Sequence, residues 1–379
     1  VAAARLPFRQ FVIKLHGRCN LACDYCYVYE MADQRWRARP RSMAPDVIDR
    51  TVARIAEHVS VHSLEKVDIV IHGGEPLLAG PAAVRRLVTS ARTQVDASVR
   101  VSLQTNGVLL DRTFLELLGE LDVRVSVSVD GGQVAHDRHR VTADGRGSYQ
   151  SVAAALRQLG GPEFRSLYAG LLCVVDLAND PVETYAALLA FDPPAIDLLL
   201  PHGNWSAPPP GRVPDAPATP YADWLIAVFD HWVARPRRET RIRLFEEIIH
   251  VLLGGRSHVE GVGLAPTQVV VVETDGTIEQ SDILASAFDG AADTGLHVAR
   301  DSFDAVLDLP DMVAQQAGLA ALGPVCQGCD LREVCGGGLR AHRFDPANGF
   351  ANPSVYCLDL DRLIRHIRAT VAARLAVAR

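Results

Sequence analysis

No stretch of this 379-residue chain reaches the roughly 18 apolar residues that a membrane-spanning helix needs. Its opening, VAAARLPFRQ, lacks the apolar core of a secretory signal, so a cytoplasmic setting is expected. An excess of basic charge is also missing. The net charge of -7 at pH 7 excludes a global footprint for a nucleic-acid backbone. Arg35, Arg37, Arg39 and Arg41 do cluster, and the plainest expectation for them is a solvated loop face. No internal repeat is present, and the only biased tract is the Pro- and Ala-rich SAPPPGRVPDAPATP at 206–220, which reads as a linker. What remains is ordinary globular composition, 48% hydrophobic and 22% charged, enough for one large domain or two smaller ones.

Cysteine is scarce through the middle of the chain and dense near its ends. Three of the eight lie within residues 19–26 and four within 326–357, while Cys173 stands alone in an apolar run. In a reducing compartment such tight groups read as metal sites before they read as disulfides. Cys173 reads as a buried structural cysteine.

The first 200 residues alternate strand and helix signals. Strands are expected at 11–15, 67–71, 99–104, 123–129, 168–175 and 196–200, with helices at 45–60, 81–95, 111–120, 148–160 and 181–191 between them. Six β-strands separated by helices form the pattern of a parallel α/β sheet, closed partially into a barrel or left open. Two helices follow the linker, at about 221–235 and 239–253. Residues 267–280 then read as a hairpin around Asp275-Gly276, a favoured turn pair. A C-terminal amphipathic helix starts near 359. The expected domains are 1–205, a bridging stretch over 206–265, and 266–379.

Cys19-Asn-Leu-Ala-Cys23-Asp-Tyr-Cys26 follows the first strand. Three thiolates at this spacing ligate three irons of a cubane and leave the fourth open, whereas four cysteines complete a cluster that mainly moves electrons. A zinc site with His16 as the fourth ligand is the alternative, although structural zinc usually takes two ligand pairs across a longer loop.

The C-x3-C-x2-C loop, with Tyr25 before its last cysteine, resembles the signature of the radical S-adenosylmethionine (SAM) superfamily. That resemblance implies a partial (β/α)6 barrel whose open iron binds SAM, and reductive cleavage of SAM to a 5′-deoxyadenosyl radical by an electron from a flavodoxin or ferredoxin. Gly73-Gly74-Glu75 resembles the family's GGE motif, which holds the SAM amino group. Gln104 and Asn106, in the Gln-Thr-Asn-Gly segment, and Ser128 and Asp130 resemble segments that contact the ribose and carboxylate. Asp130-Gly131 also reads as a simple turn. Arg140 is a candidate partner for the SAM carboxylate, and its HDRHR surroundings equally read as a solvated loop.

Cys326-x2-Cys329-x5-Cys335, with Cys357, resembles the SPASM extension of radical SAM enzymes that modify ribosomal peptides and proteins. The departures are ordered. Ser281 stands where the G-x4-C segment has cysteine, Leu339 stands where another is required, and 255–275 contains none. The missing positions belong to the family's inner auxiliary cluster, so the resemblance implies one auxiliary [4Fe-4S] cluster on the four retained cysteines. Four thiolates also hold zinc.

LPFRQFVIKLHGRCNLACDYCYVYE and VIHGGEPLLAG resemble FxsB-type proteins, which are similar to three-residue cyclophane synthases. The likeness implies a ribosomal precursor peptide as substrate and a C–C crosslink between an aromatic ring and the β-carbon of a nearby residue, of Phe-x-Ser type. Sulfatase-maturase-like oxidation, thioether formation and epimerisation share the same frame. A non-enzymatic Fe–S or zinc regulator would not need the open three-cysteine loop with its GGE. Asp282, directly after Ser281, matches a proton-accepting aspartate of related SPASM enzymes; the plain alternative is a hairpin-end aspartate facing water. With about ten residues ahead of the first strand, no N-terminal leader-recognition domain is expected here.

Overall fold

Alternating apolar residues in Phe11-Val-Ile-Lys-Leu15 build strand β1 (Gln10–His16), and Phe11, Ile13 and Leu15 are fully buried along one of its faces. The computed structural model describes residues 5–213 and 216–377; the first four residues of the chain's opening, Pro214 and Asp215 of the Pro-rich stretch, and 378–379 lie outside the described residues. Strands β2 (Lys66–Gly73), β3 (Ser98–Thr105) and β4 (Val123–Ser128) follow β1 in parallel register. Helices α1 (Pro45–His62), α2 (Gly80–Gln94) and α3 (Arg112–Glu120) connect them. Pro45 opens α1 where its missing N–H costs nothing, and Asp111 caps α3 by accepting from Phe114 N at 2.9 Å. Then come α4 (Gln133–His139), α5 (Tyr149–Leu159), β5 (Tyr168–Val174), α6 (Pro181–Leu189) and β6 (Ala195–Leu199).

The chain divides into two compact units. The first runs through Val129 and adds His136–Leu171 and Thr267–Val313. Its strands lie in the order β10-β9-β8-β1-β2-β3-β4, where β8 is Val269–Val272, β9 Thr277–Glu279 and β10 Asp293–His297. The second unit holds Asp130–Ala135, Leu172–Pro266 and the chain from Ala314 onward. There β6 pairs in parallel with a two-residue β7 (Arg241–Ile242), near α7 (Pro220–Ala234), α8 (Arg243–Leu252) and the C-terminal helix Cys357–Val377. The fold is α/β, with a partly open, mostly parallel sheet. Among the described residues no helix is long and apolar enough to cross a membrane.

Three expectations are corrected. The hairpin at 267–280 does form, but it does not group with 314–379: β8 lies parallel beside β1, pairing Val270 with Phe11 and Val272 with Ile13. Four consecutive valines are apolar on both faces, which suits a strand flanked by neighbours on both sides. The Pro-rich stretch is not a free linker in its described part. Arg212 is buried there and donates to the Val355, Ala216 and Ala218 carbonyls. Nor do all four clustered arginines face water, because Arg35 and Arg39 both reach the buried Glu279.

Candidate active site

The residues singled out near the first cysteine group lie at the C-terminal ends of β1 to β4, the end at which α/β sheets place their chemistry. Cys19, Cys23 and Cys26 sit on the loop after β1. Cys26 N donates to Cys23 O at 3.1 Å, curling the loop there. Cys19 Sγ accepts from Leu21 N at 3.4 Å and from Asn106 Nδ2 at 3.5 Å. Burial pushes the Cys19 thiol up to about 11 and raises that of Cys26, where Arg140 pulls the other way. Desolvated thiols that repel one another as thiolates gain when a cation binds them. His16 turns Nδ1 onto the Arg18 backbone, 3.2 Å from its N and 3.0 Å from its O.

The glycines of Gly73-Gly74-Glu75 are required by space. A Cβ on Gly73 would lie 2.3 Å from His16 O, and one on Gly74 would lie 1.8 Å from the Tyr29 hydroxyl. Tyr29 Oη is buried without a hydrogen-bond partner, and the Cys19 and Cys26 thiols add to burial in raising its phenol. A buried hydroxyl without a partner beside two thiols is the mark of a niche built around a missing polar group. The sequence does not single out Tyr29; its place as the third tyrosine of CDYCYVY was the only signal.

Glu75 is fully buried and braces two strand ends. Its Oε1 accepts from Leu77 N at 3.0 Å and Thr105 Oγ1 at 2.8 Å, and its Oε2 from Asn106 N at 2.8 Å. Burial outweighs these donors and pushes the carboxyl up to about 7. The side chain therefore holds the GGE turn against β3 and does not stand free for an ammonium, as the motif alone suggests. Asn106 links the turn to the cysteine loop, donating to Asn20 Oδ1 at 2.8 Å. Gln104, half-buried, is paired in register with Ser126, and Ser128 is buried at the end of β4.

Arg140 is buried, against the solvated-loop alternative, and its guanidinium lies 5.5 Å from the centre of the Tyr25 ring. The short helix α4 sets it there, with Arg140 N donating to His136 O at 2.9 Å. In the second unit Asp130 is also buried, and its Oδ1 accepts from Val174 N at 3.0 Å, fastening the start of that segment to β5. Cys173 is buried in β5.

Asp282 does not face water. It lines a cavity of about 470 Å3, measured with its open mouth, together with Lys14, Tyr27, Trp36, Glu273 and Glu279. Tyr27 Oη donates to Asp282 Oδ2 at 2.7 Å, Lys14 Nζ lies 3.5 Å away, and His72 Nδ1 lies 3.8 Å away. Lys14 and His72 are register partners on β1 and β2, on the face opposite the apolar row, so strand pairing alone sets both beside the carboxylate. Burial pushes Asp282 up, but Lys14 above all, then His72 and Tyr27, outweigh it and hold the carboxyl below its usual range. Lys14 donates to Glu273 at 2.7 Å, and these acids overcome its own burial to keep it charged. Neither Lys14 nor His72 was legible as a site residue, since each occupies one polar slot of an alternating strand.

In the second unit Cys326, Cys329, Cys335 and Cys357 are close enough to act on one another. Burial raises the thiols of Cys335 and Cys357 to about 11, and neighbouring cysteines add to both shifts. Arg343 organises the turn behind them. Its Nε donates to Gly337 O at 2.9 Å and its Nη2 to Gly336 O and Gly338 O at 2.6 and 2.7 Å. All three glycines have positive φ, which a side chain there would resist. The same guanidinium favours thiolate at Cys326 and Cys335. Of the two departures from the SPASM spacing, Leu339 fits against Gly261 and Ser281 is buried. Both donor sets suit iron: three thiols on a loop beside an orphaned hydroxyl, and four thiols backed by a glycine turn.

The sequence model of the Radical SAM superfamily matches residues 13–173. A cysteine-type anaerobic sulfatase-maturating enzyme of Clostridium perfringens is 28% identical over 293 residues, 73% of this chain and 74% of that protein. A serine-type anaerobic sulfatase-maturating enzyme of Bacteroides thetaiotaomicron is 22% identical, over 95% of this chain and 89% of its own length. Among solved structures, native anSMEcpe with bound AdoMet superposes with a TM-score of 0.81 at 21% identity, over 96% of this chain and 99% of the other. Streptococcus suis SuiB bound to precursor peptide SuiA gives a TM-score of 0.58 at 13% identity, over 93% and 76%.

Proposed function

We propose that this chain, whose residues 13–173 match the Radical SAM superfamily, oxidises a residue within a peptide, with Asp282 as proton acceptor. The observation that carries the proposal is Asp282 itself, held deprotonated in a cavity by Lys14 and Tyr27 in the unit that contains the three-cysteine loop. A simple iron–sulfur carrier has no use for such a carboxylate. Similarity to sulfatase-maturating enzymes over most of the chain supports a peptide substrate, as does the fold shared with SuiB bound to its precursor peptide.

Cys19, Cys23 and Cys26 would hold three irons of one [4Fe-4S] cluster, and Cys326, Cys329, Cys335 and Cys357 all four of an auxiliary one. When bound, the first cluster with SAM supplies a hydrogen-abstracting 5′-deoxyadenosyl radical, and the auxiliary cluster supplies an electron acceptor. Gly73 and Gly74 let the backbone approach the SAM amino group, while Glu75 fixes that backbone in place. Tyr25, Gln104, Asn106, Ser128 and Arg140 of the first unit would line the remainder of the SAM site. Asp282 takes the proton that the substrate residue loses once it is oxidised; the acidity of that oxidised residue lets even a weakly basic carboxylate accept it. A flavodoxin or ferredoxin as electron donor and a cytoplasmic setting, which keeps the thiols reduced, complete the reading.

Within it, the product we favour is a C–C crosslink joining an aromatic ring to the β-carbon of a residue two positions on, of Phe-x-Ser type. Similarity to cysteine-type and serine-type sulfatase-maturating enzymes favours a second product, an aldehyde formed at a serine or cysteine. Both begin with loss of a β-hydrogen. The test is anaerobic turnover of a peptide ending in Phe-x-Ser-x-x, deuterated at the serine β-carbon. Deuterium in 5′-deoxyadenosine and loss of two hydrogens from the peptide are expected, with fragmentation failing between Phe and Ser. A hydrazide-reactive aldehyde would instead establish the maturase-like product. Unlabelled 5′-deoxyadenosine formed together with modified peptide would overturn the proposal.

A further inference from the structure

Outside both cysteine groups, three side chains converge in the first unit. His58 and His62, four residues apart, share one face of the last turns of α1. Asp304 belongs to the short helix α9 (Phe303–Leu307). His58 Nδ1 lies 2.6 Å and His62 Nε2 2.8 Å from the same oxygen, Asp304 Oδ1. All three ligand atoms fall within 4.8 Å of one another.

We propose that His58, His62 and Asp304 form a binding site for a divalent transition-metal ion, with zinc as the best-suited cation. The donor set is two imidazoles and one carboxylate, which is the chemistry of three-ligand zinc sites that keep a position for water. Zinc bonds of about 2.0–2.2 Å need ligand atoms somewhat farther apart than these hydrogen bonds, so side-chain shifts of under about 1 Å open the site. His58 is only 1% exposed, and its ring packs among Phe8, Phe11 and Phe303 at 5.8, 5.9 and 6.3 Å. That apolar wall fixes the ring and leaves Nδ1 turned to the meeting point, while Nε2 is buried without a hydrogen bond of normal geometry. Such a histidine is neutral when desolvated, the form that ligates metal. His62 and Asp304 are partly exposed, at 26% and 35%, which gives an ion its path in and leaves room for a water ligand. A bound ion would pin the end of α1 to α9.

The plain alternative is an aspartate hydrogen-bonded to two histidines. Zinc titration of the cluster-loaded protein separates the two, because iron then occupies the cysteines. Calorimetry should show one site per chain with micromolar affinity and a zinc-dependent rise in melting temperature. His62→Ala and Asp304→Asn should each weaken that site by roughly tenfold or more, with iron content unchanged. His250→Ala, which alters a histidine pair of the second unit, should leave it intact. If His62→Ala fails to fold, His62→Gln gives the same reading, since it keeps the helix and an amide in place. No heat with zinc in the unaltered protein, or equal binding in the folded variants, would overturn the proposal.

Discussion

The two cysteine groups differ in what surrounds them more than in the cysteines themselves. Around Cys19, Cys23 and Cys26 the chain spends its glycines on closeness: Gly74 nearly touches Tyr29, whose hydroxyl has no partner. Around Cys326, Cys329, Cys335 and Cys357 it spends them on a turn, three positive-φ residues whose carbonyls are all taken by Arg343. One group is left polar and unfinished; the other is closed on itself. An unfinished niche suits a group that must accept a ligand, and a closed one suits a group that only exchanges electrons.

Replacing Cys19, Cys23 and Cys26 together by Ala breaks the comparison at its first half and carries the largest expected effect. Iron after anaerobic reconstitution should fall from about eight to about four per chain, and SAM cleavage should be lost. Stoichiometric zinc in the Cys326 group of anaerobically prepared protein would remove the second half. Arg343→Met is the corresponding test there. Three buried carbonyls would lose their donor, at about 1–3 kcal/mol each, so a strong fall in melting temperature is expected, with iron lost from this group first. Unchanged stability would mean that the turn holds itself.

The parts of this arrangement that recur locally in the chain are legible in the amino-acid sequence. Strands β1 to β6 announce themselves by apolar alternation, and α1, α3 and α6 by Pro45, Asp111, Asp180 and their apolar faces. Cysteine spacing marks both groups. Lys14, His72 and Arg343 are not legible, because a single polar residue inside a strand or loop looks like a solvated one until its neighbours are known. Asp282 stands out only through resemblance, and its partners come from β1, β2 and the cysteine loop, more than 200 residues away in sequence. The pairing of β8 with β1 is equally non-local, and local patterning therefore assigns the hairpin to the wrong neighbours.

Lys14→Met sharpens the account of Asp282 with a smaller effect. With Lys14 present, the carboxylate stays charged down through the usual carboxylate range, so it sets no acid limb on peptide turnover near neutrality. The stability it gives is present above its unfolded pKa and lost as pH falls through the lower folded value. Removing the ammonium should bring an acid limb up by about 1–3 pH units, and Lys14→Arg should restore much of the original profile. A pH profile that does not move would detach Lys14 from Asp282.

Glu75 gives the smallest and cleanest effect. Its folded pKa of about 7 lies above the unfolded value, so the native state binds the extra proton and stability falls as pH rises from about 4.5 to about 7. The full span is on the order of 3 kcal/mol. Glu75→Gln should flatten that slope in denaturant titrations, whatever constant offset the amide introduces at Asn106. A slope that survives the substitution would assign it to another group.

The central claim is that Asp282 serves the oxidised peptide and not the cleavage of SAM. It is tested most directly by measuring 5′-deoxyadenosine and modified peptide together in Asp282→Asn. The account predicts full occupancy of both clusters, continued 5′-deoxyadenosine formation, and a fall in modified peptide of about 100-fold or more. Modified peptide that keeps pace with 5′-deoxyadenosine in this variant would contradict it.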